Sequence, residues 1–196
     1  MITQLHQRAE VESIFADAIN TAIVAHREKR YRDAECEFRL IAARLEHEGD
    51  DLDRVKTHCG LGNALERIAE TEGLDEYFDK AILEYQASLI YLETLNDPVR
   101  TGIVENNIGY LLFRRGRCTE AHRHLQHAER LLEKDTICLA QSYETRARIF
   151  IKQGLYRRAV KYASLSVLGL IDGIELSPLD EAVETLDTAI ELFKRG

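Results

Sequence analysis

The chain has 196 residues, 45% of them hydrophobic, with only 2 prolines, 11 glycines and no tryptophan. So few breakers among so much apolar material argue for long helices joined by short turns and against many short strands. A formal charge of -8, from 26 Lys and Arg against 34 Asp and Glu, weighs against nucleic acid and anionic membrane as partners.

Hydrophobic periodicity and capping signals predict nine helices, at approximately 3–29, 31–48, 51–71, 75–95, 98–115, 118–134, 136–153, 155–171 and 178–194. The first carries Ala22. The second opens on Tyr31-Arg32-Asp33-Ala34 and continues to Phe38. Gly49-Asp50 and Gly73-Leu74-Asp75 each stop one helix and start another, on either side of a third helix that holds Leu61-Gly62. The fourth helix carries Ala81 and Tyr85. Asp97-Pro98 opens the fifth, with a capping side chain before a proline whose missing N–H does no harm there.

The fifth helix runs through Asn107-Ile108-Gly109-Tyr110-Leu111-Leu112-Phe113 to Gly116, and Ala121, Leu125, Ala128 and Leu132 form the apolar stripe of the sixth. Leu139, Tyr143, Ala147 and Phe150 do the same in the seventh, before Gly154 and then Tyr156 and Ala159. Ser164 to Leu176, with Gly169 and Gly173 among β-branched neighbours, also admits a strand or a loop. Ser177-Pro178 opens a last helix with no partner, expected to cap the stack.

These landmarks repeat. The marker alanines Ala34, Ala81, Ala121 and Ala159 are separated by 47, 40 and 38 residues, and each follows a helix holding a small residue: Ala22, Gly62, Gly109 or Ala147. The pattern of Leu-Gly or its equivalent, an aromatic, a turn glycine and then Tyr-x-x-Ala resembles the tetratricopeptide repeat family, and looks like bacterial members of unassigned role. The resemblance covers roughly residues 10 to 172 and is fullest in the last two copies. The repeats exceed the family's usual ~34 residues, and no copy has the family's terminal proline. It implies an all-α solenoid of about four helix pairs (approximately 3–48, 51–95, 98–134 and 136–171) with a capping helix at 178–194, a single domain over residues 1–196.

No catalytic motif is found: there is no Gly-rich phosphate loop, no G-x-S-x-G and no H-E-x-x-H. His122, His124 and His127 are the best metal candidates, but His122 points away from the other two and nothing completes a site, so a solvated helix face is preferred. Neither enzyme activity, a cofactor nor a metal is expected. Cys36, Cys59, Cys118 and Cys138 show no C-x-x-C spacing and read as reduced thiols in a cytoplasmic protein. The first ten residues lack a signal-peptide core, and no stretch is long enough to cross a bilayer.

The first helices, aligned on their small residues, each carry a base five positions on: Arg27, Arg67, Arg114 and Lys152. Placed in the last turn of each helix, these cations answer the helix dipole; in the family such positions also face the groove, and both readings stay open. Asn20, Asn63 and Asn107 lie beside the small residues, where family members hold extended peptide backbones through amide bonds. Tyr110 and Phe113 would supply apolar pockets, and Arg148 and Lys56 would extend the positive surface. The expected function is an interaction module whose groove takes an extended, acidic segment of another protein. The alternatives are a scaffold that oligomerises through Leu186, Ile190 and Phe193 of the last helix, and a module that responds to a peptide or small molecule.

Overall fold

The structure is a computed structural model that describes residues 2–172 and 178–195, with side chains for 15–170 and 178–195. Among these residues there are nine helices: α1 (Ile2–Arg27), α2 (Tyr31–Leu45), α3 (Asp51–Glu72), α4 (Glu76–Leu95), α5 (Pro98–Arg114), α6 (Cys118–Leu131), α7 (Thr136–Lys152), α8 (Tyr156–Asp172) and α9 (Leu179–Arg195). The sequence boundaries hold to within three residues. The largest differences are early endings. At α2, Arg54 of α3 donates from Nε and Nη2 to the Leu45 carbonyl, at 3.1 and 2.9 Å, and so caps the helix early. Asp50 and Asp135 cap α3 and α7 by accepting from the N–H groups of Asp53 and Cys138. Gly169 lies inside α8, which resolves the strand-or-loop alternative up to residue 172; Gly173 and Ser177 fall outside the described residues.

The chain divides into two compact units, residues 1–97 and 98–196. In the first, α1 packs on α2 and α3, α2 on α3, and α3 on α4. In the second, α5 packs on α6 and α7, α6 on α7, α7 on α8 and α9, and α8 on α9. Each unit therefore has a layer of odd-numbered helices in contact with one another, backed by even-numbered helices. Helix α9 continues the odd layer.

The marker residues explain why the helices pair this way. Ala22, Ala34, Ala81, Ala121, Ala147 and Ala159 are all fully buried. A Cβ on Gly62 would stand 2.8 Å from the Tyr85 ring of α4, and one on Gly109 would stand 2.7 Å from Leu125 and 3.3 Å from the Ala121 carbonyl of α6. Tyr85 and Leu125 occupy the same place in their hairpins, four residues past the marker alanine. A missing side chain on the odd helix is thus filled by a large one from its partner. Gly60 does the same for Phe38 of α2, so α3 takes an aromatic ring from each neighbour.

The turns share one closure. The N–H groups of Arg30, Leu74, Arg117 and Leu155 donate to the carbonyls of Ala25, Ala69, Leu112 and Phe150, five residues back. Each closure needs a left-handed residue before it. Three turns use Gly73, Gly116 and Gly154, with φ of 70°, 77° and 72°; the first uses Lys29, at φ 62°. The second repeat is longer because α3 runs one turn further past Gly62, and because Ala81 lies eight residues after its turn glycine instead of five.

Two outcomes are expected from urea unfolding of single variants. Gly62→Val and Gly109→Val lose about 1–3 kcal/mol each through overpacking. Lys29→Gly gains about 0.5–1 kcal/mol, since relief of the left-handed penalty exceeds glycine's larger unfolded-chain entropy.

Candidate peptide-binding surface

The residues singled out from the sequence fall on the odd helices of both units. In the first unit, Asn20, Arg27, Asn63 and Arg67 are all exposed. The Asn63 side-chain oxygen accepts from the Tyr85 hydroxyl at 2.5 Å, which ties this amide to the Gly62 crossing. Arg67 reaches across to the start of α2, with its guanidinium carbon 5.8 Å from the Tyr31 ring centroid. Hydrogen bonding to Tyr31 is the largest reason its guanidinium stands above the ordinary value, and Glu70 adds to this. Around this pair lies a cleft of about 560 Å³ lined by Lys29, Arg30, Tyr31, Arg32, Arg67 and Glu72. Arg32 is locked to both oxygens of Glu72 and to the Tyr77 hydroxyl.

In the second unit, Arg114 donates to the Tyr110 hydroxyl at 2.6 Å, and its guanidinium carbon stands 5.6 Å from that ring. The Lys152 ammonium lies 5.9 Å from the Phe113 ring and beside Gly116, against the turn that follows α5. Lys152 thus approaches the α5–α6 turn as Arg67 approaches the α1–α2 turn. Asn107 is half-buried. Arg148 is placed differently from the other bases: it donates to Glu144 on its own helix and to Glu181 on α9, at 2.6 and 2.5 Å, and so fastens α9 to α7.

The dipole reading needs one correction. Arg27, Arg114 and Lys152 do lie in the last turns of their helices. The last turn of α3 holds no base, because the helix runs on to Glu72, five residues past Arg67. At Arg67 the contact with Tyr31 and the ion pair with Glu70, and not a helix terminus, set the position of the charge.

Sequence reasoning missed the polar pairs inside the hairpins. Four residues before the small residue on the odd helix, and three after the marker alanine on the even helix, the side chains meet. His58 Nδ1 lies 2.8 Å from Glu84; Glu105 receives His124 Nδ1 at 2.5 Å; the Tyr143 and Tyr162 rings meet edge-on at 5.7 Å. His127 adds a second imidazole to Glu105 at 3.0 Å. The recurrence of His, Glu and Tyr at matched offsets was the available signal. A second network lies in a cleft of about 680 Å³ among α6, α7 and α8. There the buried Arg146 donates to Glu129 at 2.6 Å and to His122 Nε2 at 3.3 Å, and stands 4.1 Å over the Tyr162 ring. Burial first, then Arg146, pushes His122 below its ordinary value. The three histidines of α6 are thus turned to two different helices. Among the described residues no group of three or more His, Cys, Asp or Glu side chains could hold a metal ion. The four cysteines are free thiols, and burial is the main cause that pushes Cys138 up to about 11. No described helix is long and apolar enough to cross a membrane.

Burial works to raise the Glu105 carboxyl, but the two imidazole hydrogen bonds outweigh it and hold it below the usual value. An acid depressed in the folded state adds stability that is complete above its unfolded pKa and is lost as pH falls through the folded one. Glu105→Gln should therefore cost about 1–3 kcal/mol at neutral pH. Urea midpoints measured from about pH 5 down to pH 3 should also fall less steeply in the variant than in the parent chain.

No protein-family model matches the chain, and no curated protein matches it in sequence. Solved structures match it in fold. BtubC (BKLC) from P. vanneervenii superposes with a TM-score of 0.76 at 14% identity, over 97% of this chain and 77% of that one. MamA protein gives 0.58 at 16% identity, over 95% and 94%. The apo form of RapI gives 0.62 at 13% identity over the whole of this chain, which spans 56% of RapI. At such identities the likeness is one of fold, and that fold is the all-α solenoid of tetratricopeptide-repeat type.

Proposed function

We propose that the chain is a non-catalytic interaction module that binds an extended, acidic segment of another protein along the odd-helix layer of its units. The observation that carries this reading is the repeated pairing of an exposed cation with an aromatic ring at one register: Arg67 with Tyr31, Arg114 with Tyr110, and Lys152 with Phe113. Contact with an aromatic face restricts where each cation can stand, so less side-chain freedom is lost when a carboxylate approaches. Arg27 stands at the same register of α1. Asn20, Asn63 and Asn107 offer amides to a peptide backbone irrespective of its sequence; Asn63 keeps its two N–H donors while its oxygen is engaged by Tyr85. Arg148 bridges Glu144 and Glu181 and so serves the attachment of α9; the proposed attraction rests on Arg27, Arg67, Arg114 and Lys152, of which Arg67 also pairs with Glu70 on its own helix. Binding of this type is a protein–protein function that fits the fold of the structural neighbours.

Capture from a sequence-unbiased peptide library on the purified chain tests the reading. Enrichment of Asp- and Glu-containing peptides is expected, with affinity that falls as salt is raised. The double variant Arg67→Glu/Arg114→Glu should weaken capture by about tenfold or more, the loss of roughly 1.4 kcal/mol or greater. Equal capture by the double variant would show that this layer is not the binding surface.

A further inference from the structure

Helix α9 sits on α7 and α8 as α7 sits on α5 and α6, and a shift of 43 residues superimposes the two roles. On α7, Ser142 and Arg146 bond to α6, through the Leu125 carbonyl and Glu129. Their counterparts on α9 are Thr185 and Ala189, both buried; Ala189 shares a cluster with Ala159 of α8, and Ala182 shares one with Leu170. Ala182 and Ala189 thus face the preceding even helix.

The face of α7 that receives the following helix is equally well marked. Ala140 and the Thr136 carbonyl touch the Gly169 position of α8, and Tyr143 and Phe150 pack on Tyr162 at 5.7 and 5.3 Å. Shifted by 43, Ala140, Tyr143, Ala147 and Phe150 become Val183, Leu186, Ile190 and Phe193. Every one is apolar, yet Val183 is 39% and Phe193 is 53% exposed. The four other odd helices each have an even helix packed along this side; among the described residues α9 has none. Ile190 stands where those helices have alanine or glycine, so a helix laid here would cross at an ordinary separation of about 8–10 Å and not in the close contact of the hairpins.

Charge selects the occupant. Beside the apolar stripe run Asp180, Glu184, Asp187 and Glu191, all exposed and spaced at steps of four, three and four, on a surface of α9 that they share with Val183. Arg195 reaches back to Glu191, leaving the other three acids at the middle and start of the helix. A second copy of α9 would set acid against acid along most of this length. We propose that the open face of α9 docks a basic amphipathic helix of another protein, antiparallel to α9, in the place that an even helix takes on every earlier odd helix.

The test uses the full chain and two synthetic 17-residue helices the length of α9, both with leucine at the stripe spacing, one with lysine and one with glutamate at the flanking positions. Fluorescence anisotropy should show binding of the lysine peptide, weakened about tenfold or more by Ile190→Glu and by Phe193→Glu. The triple variant Asp180→Lys/Glu184→Lys/Asp187→Lys should prefer the glutamate peptide. Circular dichroism melts confirm that each variant folds, and Phe193→Glu, at a more exposed position, carries the test if Ile190→Glu does not. Absence of binding, binding that ignores these substitutions, or a dimer of the chain abolished by Phe193→Glu would each overturn the proposal.

Discussion

Two helices joined by a short turn can lie with their backbones nearly touching only where one of them has almost no side chain. In this chain that place is occupied by Ala22, Gly62, Gly109 and Ala147, each buried in an odd helix. Where the residue is glycine, the space goes to a large group four residues past the marker alanine of the partner, Tyr85 or Leu125. Because interiors are packed at crystal-like density, this fit leaves a single axial position for each pair of helices. The spacing between the small residue, the left-handed turn and the marker alanine is therefore a mechanical length, and the second repeat varies it by adding a helical turn to α3 without moving the crossing itself.

Once the crossing is fixed, every other pairing follows at a set distance from it. One turn before it on the odd helix, and about one turn past the marker alanine on the even helix, the two surfaces have diverged enough to admit polar side chains while still excluding much of the solvent. His58 with Glu84 and Glu105 with His124 fill this position with opposite assignments of the same two residue types. Buried pairs of this kind add little net stability compared with apolar contact, but breaking one is costly. Sliding α6 along α5 would leave the buried Glu105 carboxylate without either imidazole, so the pair opposes misregistry more than it strengthens the native packing. The Tyr143–Tyr162 contact shows that the position can be filled without charge.

The fold was legible because its determinants are local. Helix ends are set by caps and breakers within a few residues, and the alanine and glycine markers recur at spacings that survive drift elsewhere in the sequence. Lys29 escaped notice because a lysine carries no signal of the left-handed conformation that the first turn imposes on it. The candidate surface was legible only as a register. That Arg67, Arg114 and Lys152 stand in equivalent places could be read from spacing, whereas the ring that each one meets could not. Arg146 and Arg148 were opaque for a related reason. Their partners outside α7 lie 17 to 33 residues away, on helices whose relative rotation depends on the packing of the whole unit. One of them joins α7 to α6 and the other joins α7 to α9, and nothing in their sequence neighbourhood separates them from the groove cations.

The attachment of α9 inverts the usual arrangement of an amphipathic helix. Such helices turn their large apolar residues inward and leave small and polar ones outside. The buried positions of α9 are Ala182, Thr185 and Ala189, none of them large. Much of its hold on α7 is polar: Arg148 bridges Glu144 and Glu181, and Thr185 approaches Glu144 at 3.5 Å. Burial is the main cause that raises the Glu144 carboxyl above its ordinary value, with Arg148 acting against it. Ionising that group inside the fold therefore has a cost that the arginine only partly offsets. A helix fastened by small residues and an ion triad, with Val183 and Phe193 turned to solvent, gains less from its inner face than its composition would allow. The apolar area left outside is what a further helix would cover, and it lies at the same register at which α2, α4, α6 and α8 cover their own partners.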